Sequence, residues 1–176
     1  AASDVYKRQS PMMPPIPGIE KAGFVSEFLT DRKEAGKQIV IIGGGLAGCE
    51  AACYLKENAE TVTIIEMQED ILFGCDHCLN NDQALRQMLQ DNNINKITKA
   101  TVTKIEDNRV TYLQDNQEYT IVCDTIINAA GFKPNDQLED ALEEIYDDVT
   151  VIGDAKAPRK ILTAIHEGYH AIRVME

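Results

Sequence analysis

Residues 37–67 read KQIVIIGGGLAGCEAACYLKENAETVTIIEM, and this stretch decides the fold. Ile39, Val40, Ile41 and Ile42 are β-branched throughout, the composition of a parallel strand buried on both faces. Gly43, Gly45 and Gly48 follow at once in the pattern G-x-G-x-x-G. The first glycine permits a tight turn, the second lets a pyrophosphate approach the backbone, and the third lets helix and strand pack closely. A helix over 46–56 then presents its N-terminal N–H groups and positive dipole end, which favour phosphate, with Leu46 and Ala47 in its first turn. A second strand over 61–65 ends at Glu66, where a carboxylate can accept the ribose 2′-hydroxyl of a dinucleotide and repel a 2′-phosphate. The pattern therefore predicts a βαβ unit that binds NAD(H) in preference to NADP(H). A βαβ unit using its glycines only for packing is the plainer alternative, and the order of strand, turn, helix, strand and acid weighs against it.

Composition bounds the rest. A chain of 176 residues can bury one core, or one core and a piece of another. Seventeen basic against 29 acidic residues give a net charge of −12, which opposes nucleic-acid or anionic-membrane partners. No apolar run approaches the roughly 18 residues of a membrane span, and no secretory signal pattern occurs, so a cytoplasmic setting is expected. Five cysteines suit reduced thiols better than a disulfide framework. Residues 1–9, AASDVYKRQ, resemble translated sequencing-adapter sequence, and the expectation is that the natural chain is cut near Ser10 with further sequence upstream.

Outside the fingerprint, the proline-rich stretch 11–17 reads as an extended connector, and 25–36 carries a short helical pattern with Phe24, Phe28 and Leu29 as apolar contacts. A helix over 82–90 has Leu85, Met88 and Leu89 in one stripe, and Ile94 and Ile97 can supply a third parallel strand. From Thr101 the period changes to two. Runs at 101–106, 109–114 and 119–123, separated by Asp107-Asn108 and Asp115-Asn116, predict an antiparallel meander. Further strands are expected at 125–129, ending in Ala130-Gly131, and at 149–152, ending in Gly153-Asp154. Leu138, Ala141, Leu142 and Ile145 mark a short acidic helix. Ile161, Ile165, Gly168, Ile172 and Met175 share one face of a C-terminal helix.

The fingerprint, the acidic strand end, the meander, AAGFKPN and VIGDAKAPRKILTAIHEG together resemble the pyridine nucleotide-disulfide oxidoreductase superfamily. Within it they most resemble the C-terminal part of NADH:flavin oxidoreductases of the 2,4-dienoyl-CoA reductase and 2-enoate reductase type. The resemblance implies an α/β, Rossmann-like fragment of a two-dinucleotide-binding-domain flavoprotein, with a parallel sheet, helices and a three-stranded antiparallel meander. It implies an NAD(H) domain over 37–130, a connector over 10–36 from a missing FAD domain, and a returning FAD segment over 131–176. Position by position, Gly43, Gly45, Leu46, Ala47, Gly48 and Glu66 match NAD contacts, and Ala130-Gly131 match the turn beside the nicotinamide half. Gly153 and Asp154 match the flavin ribityl and pyrophosphate region, where an acid accepts sugar hydroxyls and a glycine admits the cofactor. Thr163 and Ala164 would set a helix N-terminus near the flavin ring. Asp154 alone would otherwise read as an ordinary turn residue.

The same resemblance leaves parts unaccounted for in this chain. A second glycine triplet for the ADP half of FAD, and a catalytic barrel with FMN and an iron–sulfur cluster, would belong to N-terminal domains acting as its partners. The FAD site here is then partial, and turnover by this piece alone is not expected. No residue stands out as a catalytic acid, base or nucleophile.

Two further motifs invite other chemistry. His166-Glu167-Gly168-Tyr169-His170 fits H-E-x-x-H, yet the sole other histidine is His77 and no third ligand follows, so no metal is expected. Cys75-Asp76-His77-Cys78 is a C-x-x-C lying after the second strand, whereas thioredoxin-reductase-like relatives carry their dithiol before the NAD fingerprint; loop thiols are the simpler reading. Cys49 and Cys53 read as small core residues. The functional expectation is hydride transfer from NADH to FAD and on to an enone or enoyl substrate. A disulfide or ferredoxin reductase, and a stand-alone nucleotide-binding module starting at Met12 or Met13, are the alternatives. Oligomeric state is left open.

Overall fold

A computed structural model describes residues 9–30, 32–73, 79–135 and 137–174. In chain order the strands are β1 (Gln9–Pro11), β2 (Gly23–Phe24), β3 (Gln38–Ile42), β4 (Thr61–Ile65), β5 (Asn95–Ile97), β6 (Ala100–Glu106), β7 (Arg109–Gln114), β8 (Gln117–Val122), β9 (Thr125–Asn128) and β10 (Phe132–Pro134). The helices are α1 (Val25–Leu29), α2 (Leu46–Lys56), α3 (Leu79–Asp91), α4 (Gln137–Glu143) and α5 (Ile161–Val174). The described residues fall into two compact units, one within 13–131 and one joining 9–12 to 132–174.

The larger unit is built on a parallel sheet of order β2-β9-β3-β4-β5. The β-branched run of β3 lies at its centre, paired residue for residue with Thr61–Ile65 on one side and with β9 on the other. Strand alternation divides its side chains between two faces. Val40 and Ile42 join Ile65, Ile126 and the inward residues Val102, Ile105, Val110 and Tyr112 of the β6-β7-β8 meander in one apolar cluster. Ile39 and Ile41 point to the other face, the side on which α2 packs against β3 and β4. Cys49, Ala51 and Ala52 are fully buried on α2, so its inner face is made of small residues that let the helix sit close to the sheet. The meander closes through Asp115 and Asn116, both with positive φ (50° and 60°), the geometry of a type I′ hairpin turn. Gly18, at φ 88°, brings the connector against β6, where a side-chain carbon would lie 2.0 Å from the Ile105 carbonyl oxygen.

Several expectations shift in detail. The helical pattern at 25–36 yields only the five residues of α1, with Phe28 buried and Leu29 exposed. On α3, Leu85 and Leu89 are buried while Met88 is half exposed, because the buried stripe follows the i, i+4 spacing. Met175 and the C-x-x-C residues 75–78 lie outside the described residues.

In the smaller unit β1 pairs antiparallel with β10, and Gln9 lies opposite Pro134. Residues 149–152 do not form the expected strand; Ile152 is extended and leads into a short 3-10 turn at Gly153–Ala155. A strand exists only when its N–H and C=O groups meet a neighbour's, and no pairing partner for this segment occurs among the described residues. The helix expected at the C-terminus forms as α5, but its apolar residues Ile161, Ile165 and Ile172 are all exposed. Among the described residues no helix is long and apolar enough to cross a membrane.

Ile41, with 0% exposure at the centre of the sheet, tests this layering. Ile41→Ala should cost about 2–5 kcal/mol in urea unfolding; a loss below about 1 kcal/mol would contradict a core centred on β3.

Candidate functional site

The C-terminal ends of β3, β4 and β9 converge on the glycine turn, where an open parallel sheet binds its ligands. Gly43 leaves β3 at φ 108°, its N–H donating to the Ile65 carbonyl at 2.9 Å. A side-chain carbon there would stand 2.5 Å from the Ala129 carbonyl oxygen, so β9 can approach only a glycine. At Gly48 such a carbon would lie 2.1 Å from the Gly43 carbonyl oxygen, which makes this glycine the condition for helix and strand to meet. Gly45 differs: it caps α2, and nothing lies within 4 Å of where its side chain would be. The amides of Leu46, Ala47 and Gly48 precede the first intrahelical bond, from Cys49 N–H to the Gly45 carbonyl at 3.0 Å. Open space beside a glycine at the head of a helix is what a phosphate group requires.

Glu66 lies just past the end of β4 and is only 9% exposed. One carboxylate oxygen accepts the Gly44 N–H at 2.6 Å, and the other accepts the Gln68 N–H at 2.8 Å. Two charge-assisted bonds orient the carboxylate while lone pairs remain on both oxygens for sugar hydroxyls. The loop after Glu66 closes over the turn, as Leu72 N–H donates to the Gly44 carbonyl at 2.7 Å. Gly44 is thus held from both sides of its residue. Sequence reasoning passed over it as a variable position, although the unbroken Gly43-Gly44-Gly45 run was a signal that a third side chain would not fit; one at Gly44 would meet Ile71 at 3.0 Å and Glu66 at 3.1 Å. Ala130 and Gly131 follow β9 in the same unit. Asn128, 3% exposed, accepts the Ala130 N–H on its side-chain oxygen at 3.1 Å and so shapes that turn, while Gly131 at φ 104° has open space on its side-chain face. A polar residue ending the apolar run TIIN was the available clue.

Gly153, Asp154, Thr163 and Ala164 belong to the smaller unit. Gly153 takes φ 64°, and a side-chain carbon there would be 3.3 Å from the Ala164 β-carbon, so the glycine admits α5. Asp154 accepts the Arg159 N–H at 3.3 Å. Glu167, the acid of the H-E-x-x-H pattern, accepts the Gly153 N–H at 2.7 Å and pairs with Arg159. The Gly153 N–H bond first, and then the Arg159 guanidinium, hold the Glu167 carboxyl below the usual glutamate range. His166 and His170 line a groove of about 560 Å³ with Thr163, and among the described residues no cluster of three potential ligands could hold a metal.

Comparison with known proteins gives this geometry its kinship. The family model described as pyridine nucleotide-disulphide oxidoreductase matches residues 9–168. The chain belongs to this family. A cinnamate reductase of Clostridium sporogenes is 32% identical over 165 residues, 93% of this chain and 25% of that protein. A dihydrolipoyl dehydrogenase of Acholeplasma laidlawii is 39% identical over 131 residues, 72% of this chain and 38% of that one. Among solved structures, a 2-naphthoyl-CoA reductase in complex with 2-naphthoyl-CoA superposes with a TM-score of 0.81 at 29% identity, over 92% of this chain and 25% of that chain. The chain therefore spans about a quarter of the length of the two reductases it matches. Membership implies binding of a pyridine nucleotide and of FAD.

The Glu167 contact has a pH signature. A glutamate whose folded pKa is depressed stabilises the fold above its unfolded value and loses that contribution as pH falls through the folded one. The Gly153 amide resonance should therefore titrate with a midpoint below the ordinary glutamate value of about 4.3, and Glu167→Gln should abolish the step. A midpoint at or above that value would contradict the contact.

Proposed function

We propose that residues 37–130 form an NAD(H)-binding domain and that the intact protein passes hydride from NADH to FAD, and on to an enone or enoyl substrate handled by N-terminal domains. Gly43, Gly45 and Gly48, with the amides of Leu46 and Ala47, would receive the pyrophosphate. Glu66 would hold the adenosine ribose, and Ala130-Gly131 would lie beside the nicotinamide half. The observation that carries this reading is the buried Glu66 carboxylate, fixed by Gly44 and Gln68 N–H groups directly beside a glycine-capped helix with open space at Gly45. A single carboxylate with lone pairs left on both oxygens suits two ribose hydroxyls, whereas a 2′-phosphate would bring like charges together in a partly desolvated site.

Gly153, Asp154, Thr163 and Ala164 would form the returning part of an FAD site over 131–176, completed by the domain from which the connector 10–36 leaves. When bound, the cofactors supply the redox chemistry, and these residues bind and orient them. No group in the chain is assigned to proton transfer to the substrate, so the piece alone is expected to bind without turnover. FMN and an iron–sulfur cluster would belong to the N-terminal part. The enoyl-type assignment rests on the match to cinnamate reductase, which runs through 93% of this chain. The dihydrolipoyl dehydrogenase match supports a disulfide-reductase alternative but covers 72%. Reaction of Cys75 and Cys78 with NADH-reduced flavin would favour that alternative.

Calorimetry on the 176-residue chain should give tighter binding of NADH than of NADPH. Glu66→Ala should shrink the preference by roughly tenfold, the worth of about 1.4 kcal/mol of lost ribose contact and lost charge repulsion. Equal affinity of the parent chain for both nucleotides would refute the role given to Glu66.

A further inference from the structure

The loop after Glu66 is held by one side chain from another element. Arg86, on α3, directs Nε to Asp82 Oδ1 at 3.0 Å, one turn earlier on the same helix. Its Nη1 reaches Asp70 Oδ2 at 2.9 Å, and its Nη2 donates to the Ile71 carbonyl at 2.9 Å. The planar guanidinium thus joins three acceptors, two of them on consecutive loop residues, a geometry a lysine could not reproduce. A lone ion pair at this exposure would contribute little, but here the charge is part of a network that includes a backbone carbonyl.

The next residue, Leu72, needs such support. It is 2% exposed, and its φ of 58° is a left-handed conformation unfavourable for a leucine, which persists only where its surroundings enforce it. In that conformation the Leu72 N–H reaches the Gly44 carbonyl at 2.7 Å, while the Gly44 N–H reaches Glu66 at 2.6 Å. The other Glu66 oxygen is held by Gln68, on the same loop. A chain of direct contacts therefore runs from Arg86 through Ile71 and Leu72 to Gly44 and Glu66.

We propose that Arg86 is a positioning residue for nucleotide selection, which holds the 67–73 loop so that Gly44 and Gln68 keep the Glu66 carboxylate aimed at the ribose. The proposal rests on the reading of this site as NAD(H)-binding. Without Arg86 the Leu72 strain can relax, the Gly44 carbonyl loses the Leu72 N–H and keeps only the longer Cys49 Sγ contact at 3.3 Å, and the carboxylate is free to turn. Ribose binding then weakens, and so does the repulsion of a 2′-phosphate.

Calorimetry with NADH and with NADPH on the 176-residue chain tests this, using Arg86→Ala, the isosteric Asp70→Asn, Glu66→Ala, and the Arg86→Ala/Glu66→Ala pair. Arg86→Ala should weaken NADH about tenfold and leave NADPH within about twofold, and Asp70→Asn should move NADH in the same direction by about threefold. The double variant should bind NADH no more weakly than Glu66→Ala alone, since residues acting through one another are not additive. Equal weakening of both nucleotides, or additivity in the pair, would overturn the proposal by reducing Arg86 to a general support. If Arg86→Ala does not fold, Asp70→Asn decides. A parent chain that prefers NADH, with the preference intact in the variants, refutes the Arg86 role alone; a parent chain without preference refutes the nucleotide reading and the proposal with it.

Discussion

The approach of Gly48 to the carbonyl oxygen of Gly43 sets the geometry on which the rest of the larger unit depends. A side-chain carbon at position 48 would lie 2.1 Å from that oxygen, well inside any tolerable contact, so β3 and α2 can be joined by this short turn only because the carbon is absent. Once the helix sits this close, its buried face must be small, and Cys49, Ala51 and Ala52 meet that demand. The helix N-terminus then lies at the end of β3, beside the point where β4 delivers Glu66. The open side of Gly45 follows from the same turn. Packing and site geometry have one cause.

The second constraint is electrostatic. Glu66 is a nearly buried carboxylate, and it is tolerated because backbone N–H groups from two segments meet its two oxygens. Those donors belong to the glycine turn and to the loop beyond the strand, so the carboxylate ties them together. The cost of burying the charge and the order it imposes are two sides of one arrangement, and the loop's left-handed Leu72 is part of it.

Much of this was legible in the residues. Ile39 to Ile42 announced a buried strand, the change of period at Thr101 announced the meander, and Asp115-Asn116 marked its turn, because each signal is local. Failures came where structure depends on distant partners. Residues 149–152 have strand composition, yet no strand pairs with them among the described residues, and composition cannot supply a neighbour. Ile161, Ile165 and Ile172 correctly indicated an amphipathic helix, but not whether anything would cover it. The grip of Arg86 on the Ile71 carbonyl spans 15 residues and carries no periodic signature. The bonds of Glu167 to the Gly153 N–H and to Arg159 likewise join distant positions and left no mark in the sequence.

The central claim is that a pyridine dinucleotide lies across the head of α2. Backbone amide NMR of the chain during titration with NADH tests it most directly. Progressive shifts concentrated at Gly44, Gly45, Leu46, Ala47, Gly48 and Gln68 are the predicted result. Saturable binding that leaves those amides unmoved while others shift would contradict the account.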